Sequence, residues 1–352
     1  MIDTNDKLAE FLPVLRAAQW VAVDTEADSL HAYPEKVCLI QISTATGDRL
    51  VDPLANIDLD SLLDALKGHD LIMHGADYDL RLLWKHHRFT PRSVFDTMLA
   101  ARLLGQRQFS LNALVESYLG ITLDKGMQKA DWARRPLTPR METYARNDTR
   151  HLKPLVDKLK SELEHKARLA WHEESCVRQM EDCARDMEPD ANTVWRTKGS
   201  HLLSRPALAV LREIWQWREQ EAVGGNRPPF FVLAHETLTR IAIAATDSQQ
   251  IEPLLPRRFS DRRRDGLREA IARGRALPPS QHPEILRFTS RRLTDAERRR
   301  LAELERRRDA QAARLNLDPA LIAPRATLLD LARQGDKHAP ELMRWQRDLL
   351  HV

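Results

Sequence analysis

The chain has 352 residues, of which 42% are hydrophobic and 30% charged, a composition typical of a folded protein with two or three domains. No apolar run approaches the roughly 20 residues that a membrane-spanning helix needs, and the N-terminal segment lacks the apolar core of a signal peptide. Its three cysteines are too few and too odd in number for a disulfide framework, so we expect a cytoplasmic protein without a membrane partner.

The net charge of +4 is unevenly distributed along the chain. Between Arg257 and Arg308 there are 17 arginines, no lysine and 8 acidic residues, which leaves the rest of the chain net negative. A basic segment of this kind favours a polyanionic partner. Arginines interleaved with acids are equally typical of solvated helices held by ion pairs, and the sequence leaves these two interpretations open.

The N-terminal part of the chain alternates apolar runs of strand length with segments of helix length. Turn residues at Tyr33-Pro34 and Thr46-Gly47 separate the first three runs, which predicts an antiparallel meander. Later runs alternate with helices, so we predict a mixed sheet with helices packed on it. In chain order the predicted elements are helix 6–18, strands 20–26, 36–44 and 48–52, helix 59–66, strand 70–74, helix 77–87, strand 93–95, a helix around 98–103, helix 110–119 and a long helix that prolines open near 136–139 and that runs to 166.

Beyond residue 166 the strand pattern disappears and only helical patterns remain. Proline-containing breaks at Glu188-Pro189 and at 277–280 divide this part of the chain. We therefore predict an α/β domain over 1–168, a helical connector over 169–203, and small helical domains over 204–280 and 281–352. Four aromatic side chains are expected in the core of the first helical domain: Trp215, Trp217, Phe230 and Phe231.

Two carboxylates stand at the end of the first apolar run. Asp24 and Glu26 are two residues apart on a predicted strand, so both project from the same face. Carboxylates on one face repel each other unless protons or a cation lie between them, and a hard divalent metal prefers such oxygen ligands. An acidic turn in solvent would explain the pair alone, so its interpretation depends on the acids further along the chain.

Further acids occur at positions suited to the same site. Asp77 and Asp79 follow a buried strand where a helix begins, and Tyr144 and Asp148 share one face of a helix at i and i+4. Four acids and a tyrosine, without a serine or cysteine nucleophile arrangement, indicate two-metal hydrolysis of a phosphodiester. The tyrosine is expected to orient the attacking water rather than deprotonate it, because a free phenol has a pKa near 10.

At these residues the chain resembles the DEDDy branch of the DEDD 3′–5′ exonucleases, and within it the ribonuclease D family. The resemblance rests on Asp24-Thr25-Glu26, on the stretch from His74 to Asp79, and on Tyr144 with Asp148, and it runs from about Trp20 to Leu159. It implies a ribonuclease H-like mixed sheet flanked by helices. It also selects Asp79 over Asp77 as a site residue. The implied catalytic residues are Asp24, Glu26, Asp79, Tyr144 and Asp148, of which the four acids would bind metal.

The helical part of the chain has resemblances of its own. Residues 227–242 are similar to the heart of an HRDC domain, the helical module that helicases and ribonuclease D share. Residues 307–331 look like the weaker second bundle at the C-terminus of ribonuclease D proteins. The resemblance therefore implies two small all-α HRDC-like bundles after the exonuclease domain.

The family implies a metal-dependent 3′–5′ exoribonuclease that releases nucleoside 5′-monophosphates from structured RNA with single-stranded tails, such as tRNA precursors. Its cofactor would be two Mg²⁺ or Mn²⁺ ions, and its partner would be RNA. Two alternatives are a DEDDy exonuclease that acts on DNA and a non-catalytic scaffold that binds RNA without cutting it.

Several other polar residues near the motifs have more than one interpretation. Asp96 is expected to cap a helix or support the site, and His74 and Gln41 to make structural hydrogen bonds rather than contact a nucleotide. Three basic residues precede the last motif and either bind phosphates or are solvated: Lys125, Lys129 and Arg135. Where many ribonuclease D proteins have an aromatic residue after the first acids, this chain has Ala27, followed by Leu30.

Overall fold

The computed structural model divides the chain into two compact units. Unit 1 consists of Met1–Ala27, Lys36–Arg185 and Arg291–Val352, and unit 2 of Asp28–Glu35 and Asp186–Ser290. The residues that the structure describes are 1–124, 126–186, 190–286, 291–334 and 341–352.

A five-stranded mixed sheet, in the order β3-β2-β1-β4-β5, forms the centre of the N-terminal part of unit 1. The first three strands are antiparallel, whereas β4 and β5 run parallel to β1, which confirms the predicted meander and mixed sheet. Strand β1 is central because its apolar residues are buried on both faces. The strands are β1 (Val21–Ala27), β2 (Val37–Thr44), β3 (Gly47–Val51), β4 (Asp70–Met73) and β5 (Ser93–Asp96).

Eight helices accompany this sheet among the described residues of the N-terminal part. Helix α6 packs against β1, β2 and β3, while α8 packs against β5. Apolar residues at helical spacing decide which face is buried; in α1 they are Leu8, Phe11 and Leu15. The helices are α1 (Asn5–Arg16), α2 (Leu59–Lys67), α3 (Asp77–His87), α4 (Thr97–Leu103), α5 (Leu111–Leu119), α6 (Pro139–Arg150), α7 (Leu152–His165) and α8 (Leu169–Cys183).

The long helix predicted up to residue 166 is two helices, and its predicted continuity was wrong. Helix α6 ends at Arg150 and α7 begins at Leu152, with His151 between them at φ −96° and ψ 0°. Pro154 explains the break, because proline lacks an N–H donor and its ring collides with the carbonyl four residues earlier, that of Arg150. The break leaves Asp148 in the last turn of α6.

The described residues of unit 2 form helices and loops. It contains α9 (Arg205–Gly224), α10 (Pro229–Val232), α11 (His235–Thr246) and α12 (Asp261–Ala276). Trp217 is buried among these helices and Trp215 packs at the edge of the same core, as predicted. The predicted burial of Phe230 and Phe231 was wrong, since their side chains are 48% and 57% exposed. The short α10 turns its Val232 inward, which leaves the two aromatic rings at the surface.

The helices described beyond residue 290 belong to unit 1. They are α13 (Asp295–Leu315), α14 (Pro319–Ile322), α15 (Arg325–Gln334) and α16 (Arg344–Leu350). Leu304 and Trp345 share one hydrophobic core with Leu103 and Leu155 from α4 and α7. The chain passes from unit 1 to unit 2 after Arg185 and returns to unit 1 at Arg291. The predicted domain boundaries at 168, 203 and 280 stay predictions. A second HRDC-like bundle stays a prediction.

Within the described ranges no helix combines the length and the apolar character that crossing a bilayer requires.

Candidate active site

A cavity of about 430 Å³ lies beside β1 in unit 1. Four of the five residues predicted from the sequence line it: Asp24, Glu26, Tyr144 and Asp148. The remaining lining comes from His74 after β4, Met98 of α4, residues 110–112 at the start of α5, and Gln128 in the loop before α6. Strand β1 and helix α6 thus supply the acids, and the other walls come from the ends of β4, α4 and α5 and from that loop.

Three carboxylates meet at one point in this cavity. One oxygen from each of Asp24, Glu26 and Asp148 lies within 4.8 Å of the others. The β1 pleat presents the first two acids together, as their spacing predicts. Helix α6 packs across the strands and brings Asp148 to the same place from a position more than a hundred residues away. This meeting depends on the tertiary structure.

Asp79 is buried beside this group but lies outside the set that shares the 4.8 Å limit. It stands in the first turn of α3, and its carboxylate accepts a hydrogen bond from the hydroxyl of Thr25. Its charge nevertheless raises the pKa of Asp24, Glu26 and Asp148, which places it in the same electrostatic cluster. Asp77, the neighbouring acid, points away and pairs with Arg81 at 2.9 Å.

Burial raises the pKa of all four carboxyl groups, and repulsion from neighbouring carboxylates raises it further. Burial, then the charges of Asp148 and Asp79, raise the pKa of Glu26 to about 9. Burial likewise raises the pKa of Asp148 to about 7 and that of Asp79 to about 6, and it holds the pKa of Asp24 well above its usual range. Without a neutralising cation, protons would therefore occupy part of this site at neutral pH.

Tyr144 faces the acids with its hydroxyl group. Burial, followed by the charges of Asp148, Glu26 and Asp24, raises the pKa of this phenol, so the hydroxyl stays protonated at physiological pH. Gln128 hydrogen-bonds to it, and the Trp132 ring packs beside it with 6.0 Å between ring centroids. A neutral hydroxyl held in this way can orient a water molecule but is a poor base.

The donor set fits a divalent metal. Four buried or half-buried carboxylates lie together, and in the described part of the chain none of them is paired with a lysine or arginine. Hard divalent cations prefer oxygen ligands of this kind and relieve the repulsion that raises the pKa values. Asp24, Glu26 and Asp148 would hold such a cation, with Asp79 close by.

Asp96 supports the site from behind, as predicted, and does so by capping. Its carboxylate accepts hydrogen bonds from the backbone N–H groups of Gly75 and Ala76 at 2.9 Å and of Met98 at 2.8 Å. It thereby ties the turn before α3 to the first turn of α4. Asp79 follows that turn directly, so Asp96 helps to fix its position.

The predicted structural hydrogen bond of His74 is confirmed, since Nδ1 lies 2.8 Å from the hydroxyl of Thr97. For Gln41 the same prediction was wrong within the described residues. Its side chain is fully buried opposite Asp24 in the β1–β2 ladder, yet neither polar atom of the amide has a hydrogen-bond partner there. Strand alternation places Gln41 on the same face as Asp24.

The basic residues before the last motif have three different outcomes. Arg135 is half-buried, and its guanidinium pairs with Asp52 at 2.5 Å and donates to the Cys38 carbonyl at 2.7 Å, which favours a structural role over either predicted one. Lys129 is exposed, and Lys125 lies outside the described residues. Arg135 therefore anchors the loop that carries Gln128 and Trp132 to the sheet.

Sequence reasoning missed several residues that line the cavity. Gln128, Met98 and Asn112 carry no chemistry that separates them from ordinary surface residues in the sequence. Ser110 was recognisable only as a helix cap, and its side chain does accept from the N–H of Ala113. Thr25 lies between the two acids of the first motif, and that position was the one sequence signal for its hydrogen bond to Asp79.

Metal-free protein should lose stability as the pH rises from about 7 to 9, by about 2–3 kcal/mol. The pKa of Glu26 is about 9 and that of Asp148 about 7, both above the value near 4 of an unfolded chain. The folded chain then binds more protons than the unfolded chain, so stability falls as the pH rises through the folded values.

Thermal unfolding in a chelator at several pH values would measure this loss. Glu26→Gln, which removes one such group, should show a smaller loss, and added Mn²⁺ should suppress it. A melting temperature in the chelator that does not change over this pH range would contradict the raised pKa values.

Loss of the buried pair between Arg135 and Asp52 should destabilise unit 1. Arg135→Ala leaves the Asp52 carboxylate buried without its partner, at an expected cost of about 3–5 kcal/mol. Denaturant unfolding would measure this cost, with Arg134→Ala, an exposed neighbour, as the matched control. Equal stability of the two variants would show that the pair does not hold the loop.

The chain is similar to known proteins over its whole length. A family model described as 3′–5′ exonuclease matches residues 1–164, and a model of the HRDC domain matches residues 207–250. A ribonuclease D of Granulibacter bethesdensis is 31% identical over 360 residues, which cover 99% of this chain and 90% of that protein.

Two crystal structures share the fold. A protein from Bifidobacterium adolescentis matches with a TM-score of 0.84 and 23% identity, over 99% of this chain and 94% of that one. Escherichia coli RNase D matches with a TM-score of 0.75 and 23% identity, over 100% of this chain and 98% of that one.

Proposed function

The chain belongs to the ribonuclease D family of metal-dependent 3′–5′ exoribonucleases, and we propose that it trims the unpaired 3′ ends of structured RNA, with tRNA precursors as its substrates. Each cycle would release one nucleoside 5′-monophosphate. A cytoplasmic location is part of this proposal.

The catalytic residues of this proposal are Asp24, Glu26, Asp79, Tyr144 and Asp148. The observation that carries it is the convergence of Asp24, Glu26 and Asp148 within 4.8 Å in a cavity that Tyr144 also lines. The four acids would hold two Mg²⁺ or Mn²⁺ ions, whose chemistry is to lower the pKa of a bound water and to stabilise the leaving 3′ oxygen. The neutral hydroxyl of Tyr144 would orient the attacking water, since its raised pKa makes it a poor base.

The size of the cavity supports action on an unpaired end. About 430 Å³ is the volume of a pocket for one small ligand, whereas an RNA duplex is far too wide to enter it. The E. coli protein that shares this fold is an exoribonuclease involved in structured RNA processing, which favours a folded RNA body with a single-stranded tail. Recognition of such a body would depend on phosphates and shape rather than on bases.

A timed digestion of 3′-tailed RNA, resolved to single nucleotides, tests this function. With Mg²⁺ or Mn²⁺ the tail should shorten one nucleotide at a time and stop near the duplex, and a chelator should abolish the reaction. A DNA tail of the same sequence in competition separates the RNA enzyme from a DNA exonuclease. Binding without any shortening in Mn²⁺, even at high enzyme concentration, would instead indicate a non-catalytic scaffold.

The arginines of the basic segment are largely ion-paired in the structure. Arg262 and Arg263 both contact Glu221, at 2.5 and 3.3 Å, and Arg306 and Arg307 both contact Glu303, at 2.8 Å. Two arginines that share one glutamate still leave a net positive charge. The segment therefore combines the two interpretations that the sequence left open, since it is ion-paired and remains basic.

Reversing the charges of Arg262, Arg263 and Arg264 should weaken RNA binding and flatten its salt dependence, because every phosphate that the protein no longer neutralises lowers the slope by about 0.7–0.9. Titrations of 3′-tailed RNA at several salt concentrations measure the slope. Glu221→Gln is the matched control, since it releases two arginines and should strengthen binding. An unchanged slope would show that these arginines are ordinary solvated surface.

A further inference from the structure

A second cavity of unit 1, of about 340 Å³, lies where the loop after α4 meets the turn between α13 and α14. Two arginines, an aromatic ring and several backbone groups form its walls. The wall residues include Arg102, Gly105, Arg107, Phe109, Asn316 and Asp318.

This cavity and the active-site cavity share one loop. Phe109 lines the second cavity, and the next residue, Ser110, lines the active-site cavity. Consecutive Cα atoms are about 3.8 Å apart, so the two cavities are neighbours along this loop. A strand whose 3′ end reaches Asp24 can therefore pass Ser110 and continue towards Phe109.

The side chains of the second cavity suit a nucleotide. The guanidinium of Arg102 lies over the Phe109 ring, 5.8 Å from its centroid, and the Phe109 side chain is 39% exposed. Among the described residues neither Arg102 nor Arg107 pairs with a carboxylate. The nearby Asp318 uses its carboxylate to cap α14, accepting from the N–H of Ala320 at 2.8 Å. Phosphates attract unpaired arginines, and bases stack on exposed aromatic rings.

The walls of this cavity are held in place by a buried arginine. Arg168 donates to the carbonyl of Leu103 at 2.6 Å and to that of Leu315 at 2.7 Å, which ties α4 to α13. The two walls also touch directly, because a Cβ added at Gly105, whose φ is +85°, would lie 2.2 Å from the carbonyl oxygen of Asn316. The cavity is thus a fixed feature of the folded unit.

We propose that this cavity is a second nucleotide subsite, which binds the RNA strand upstream of its 3′ end. A base stacks on Phe109, and Arg102 and Arg107 contact the flanking phosphates. The proposal rests on the proposed exoribonuclease function. The subsite would bind the single-stranded tail at a place separate from the metal-binding acids. Turnover would then depend on the length of the tail.

The test compares kcat/KM for RNA tails of increasing length, starting from a dinucleotide that is too short to reach Phe109. Wild-type kcat/KM should rise with tail length and then level off. In Phe109→Leu and in Arg107→Gln the ratio of long-tail to dinucleotide kcat/KM should fall about tenfold. Phe109→Trp keeps an aromatic face and should retain the rise. Arg16→Gln changes an exposed arginine of α1 and should leave both rates unchanged.

A scan with abasic nucleotides gives a second readout that a merely structural role would not change. One abasic position in the tail should slow the wild type and have little effect on Phe109→Leu. If wild-type protein shortens RNA but both variants keep the full gain with tail length, the subsite is refuted and the exoribonuclease function stands. An equal loss on dinucleotide and long tail also refutes it, whereas no hydrolysis by wild-type protein refutes the function itself.

Discussion

Replacing Asp24 with asparagine should lower the rate of RNA hydrolysis by at least about 10³-fold, because losing a metal ligand removes several kcal/mol of transition-state stabilisation. Binding of 3′-tailed RNA should remain largely intact, since we expect most of its affinity to come from phosphate contacts elsewhere on the protein. Asp148→Asn should have the same effect, because the two carboxylates lie in one 4.8 Å cluster.

Stability distinguishes this loss from unfolding. Burial and three neighbouring carboxylates raise the pKa of Asp24, so the neutral amide relieves repulsion in metal-free protein. The variant should therefore melt at the same temperature as wild type, or higher, in a chelator at neutral pH. An Asp24→Asn protein that loses binding and hydrolysis equally would count against a catalytic role.

Asp77→Asn is the matched control for these variants. Asp77 lies two residues before Asp79 on α3, but it pairs with Arg81 at the surface and does not line the cavity. Hydrolysis by this variant should stay close to the wild-type rate. A large loss of hydrolysis in Asp77→Asn, together with a normal rate in Asp79→Asn, would show that the family resemblance selects the wrong aspartate.

Tyr144→Phe should lower the rate of the chemical step by about 10- to 100-fold and leave measurable activity, because orienting a water contributes less than holding the metal. Single-turnover rates with excess enzyme would measure this step directly. Tyr33→Phe is the control. It removes a hydroxyl that donates a hydrogen bond to Glu219 in unit 2, and it should leave the single-turnover rate unchanged.

The pH profile separates an orienting hydroxyl from a base. Because burial and the neighbouring acids raise the pKa of Tyr144, its hydroxyl does not titrate in the working range. The Phe variant should therefore show a pH–rate profile of the same shape as the wild type at a lower level. Loss of an alkaline limb in Tyr144→Phe would indicate that the tyrosine acts as a base, and an unchanged rate would contradict any role for its hydroxyl.

Sequence patterns were sufficient for the features that depend on neighbours along the chain. Alternation along β1 places Asp24 and Glu26 on one face, and turn residues predict the meander of β1, β2 and β3. Helix caps were predictable for the same reason, since Asp96 and Ser110 accept hydrogen bonds from backbone N–H groups two or three residues away. The ordered motifs then sufficed to indicate the family.

Features that depend on distant parts of the chain were decided by the tertiary structure. The sequence predicts Phe230 and Phe231 in the core, but α10 leaves both side chains exposed. Arg135 was a candidate phosphate ligand in the sequence, but its guanidinium forms an ion pair with Asp52, which lies more than eighty residues earlier. The sequence showed a helical C-terminal region, but only the shared core of Leu103 and Trp345 places that region in unit 1.

By itself, then, the sequence determined which carboxylates this protein has, the faces on which its strands and helices present them, and the family to which they belong. The tertiary structure decided that Asp148 meets Asp24 and Glu26 and that the Asp79 carboxylate accepts a hydrogen bond from Thr25. It also decided which arginines beside Phe109 have no carboxylate partner in the described part of the chain. The physical reason is that alternation and helical period are set by local backbone geometry. Burial, ion pairing and the raised pKa of a carboxyl group depend instead on groups that only folding brings together.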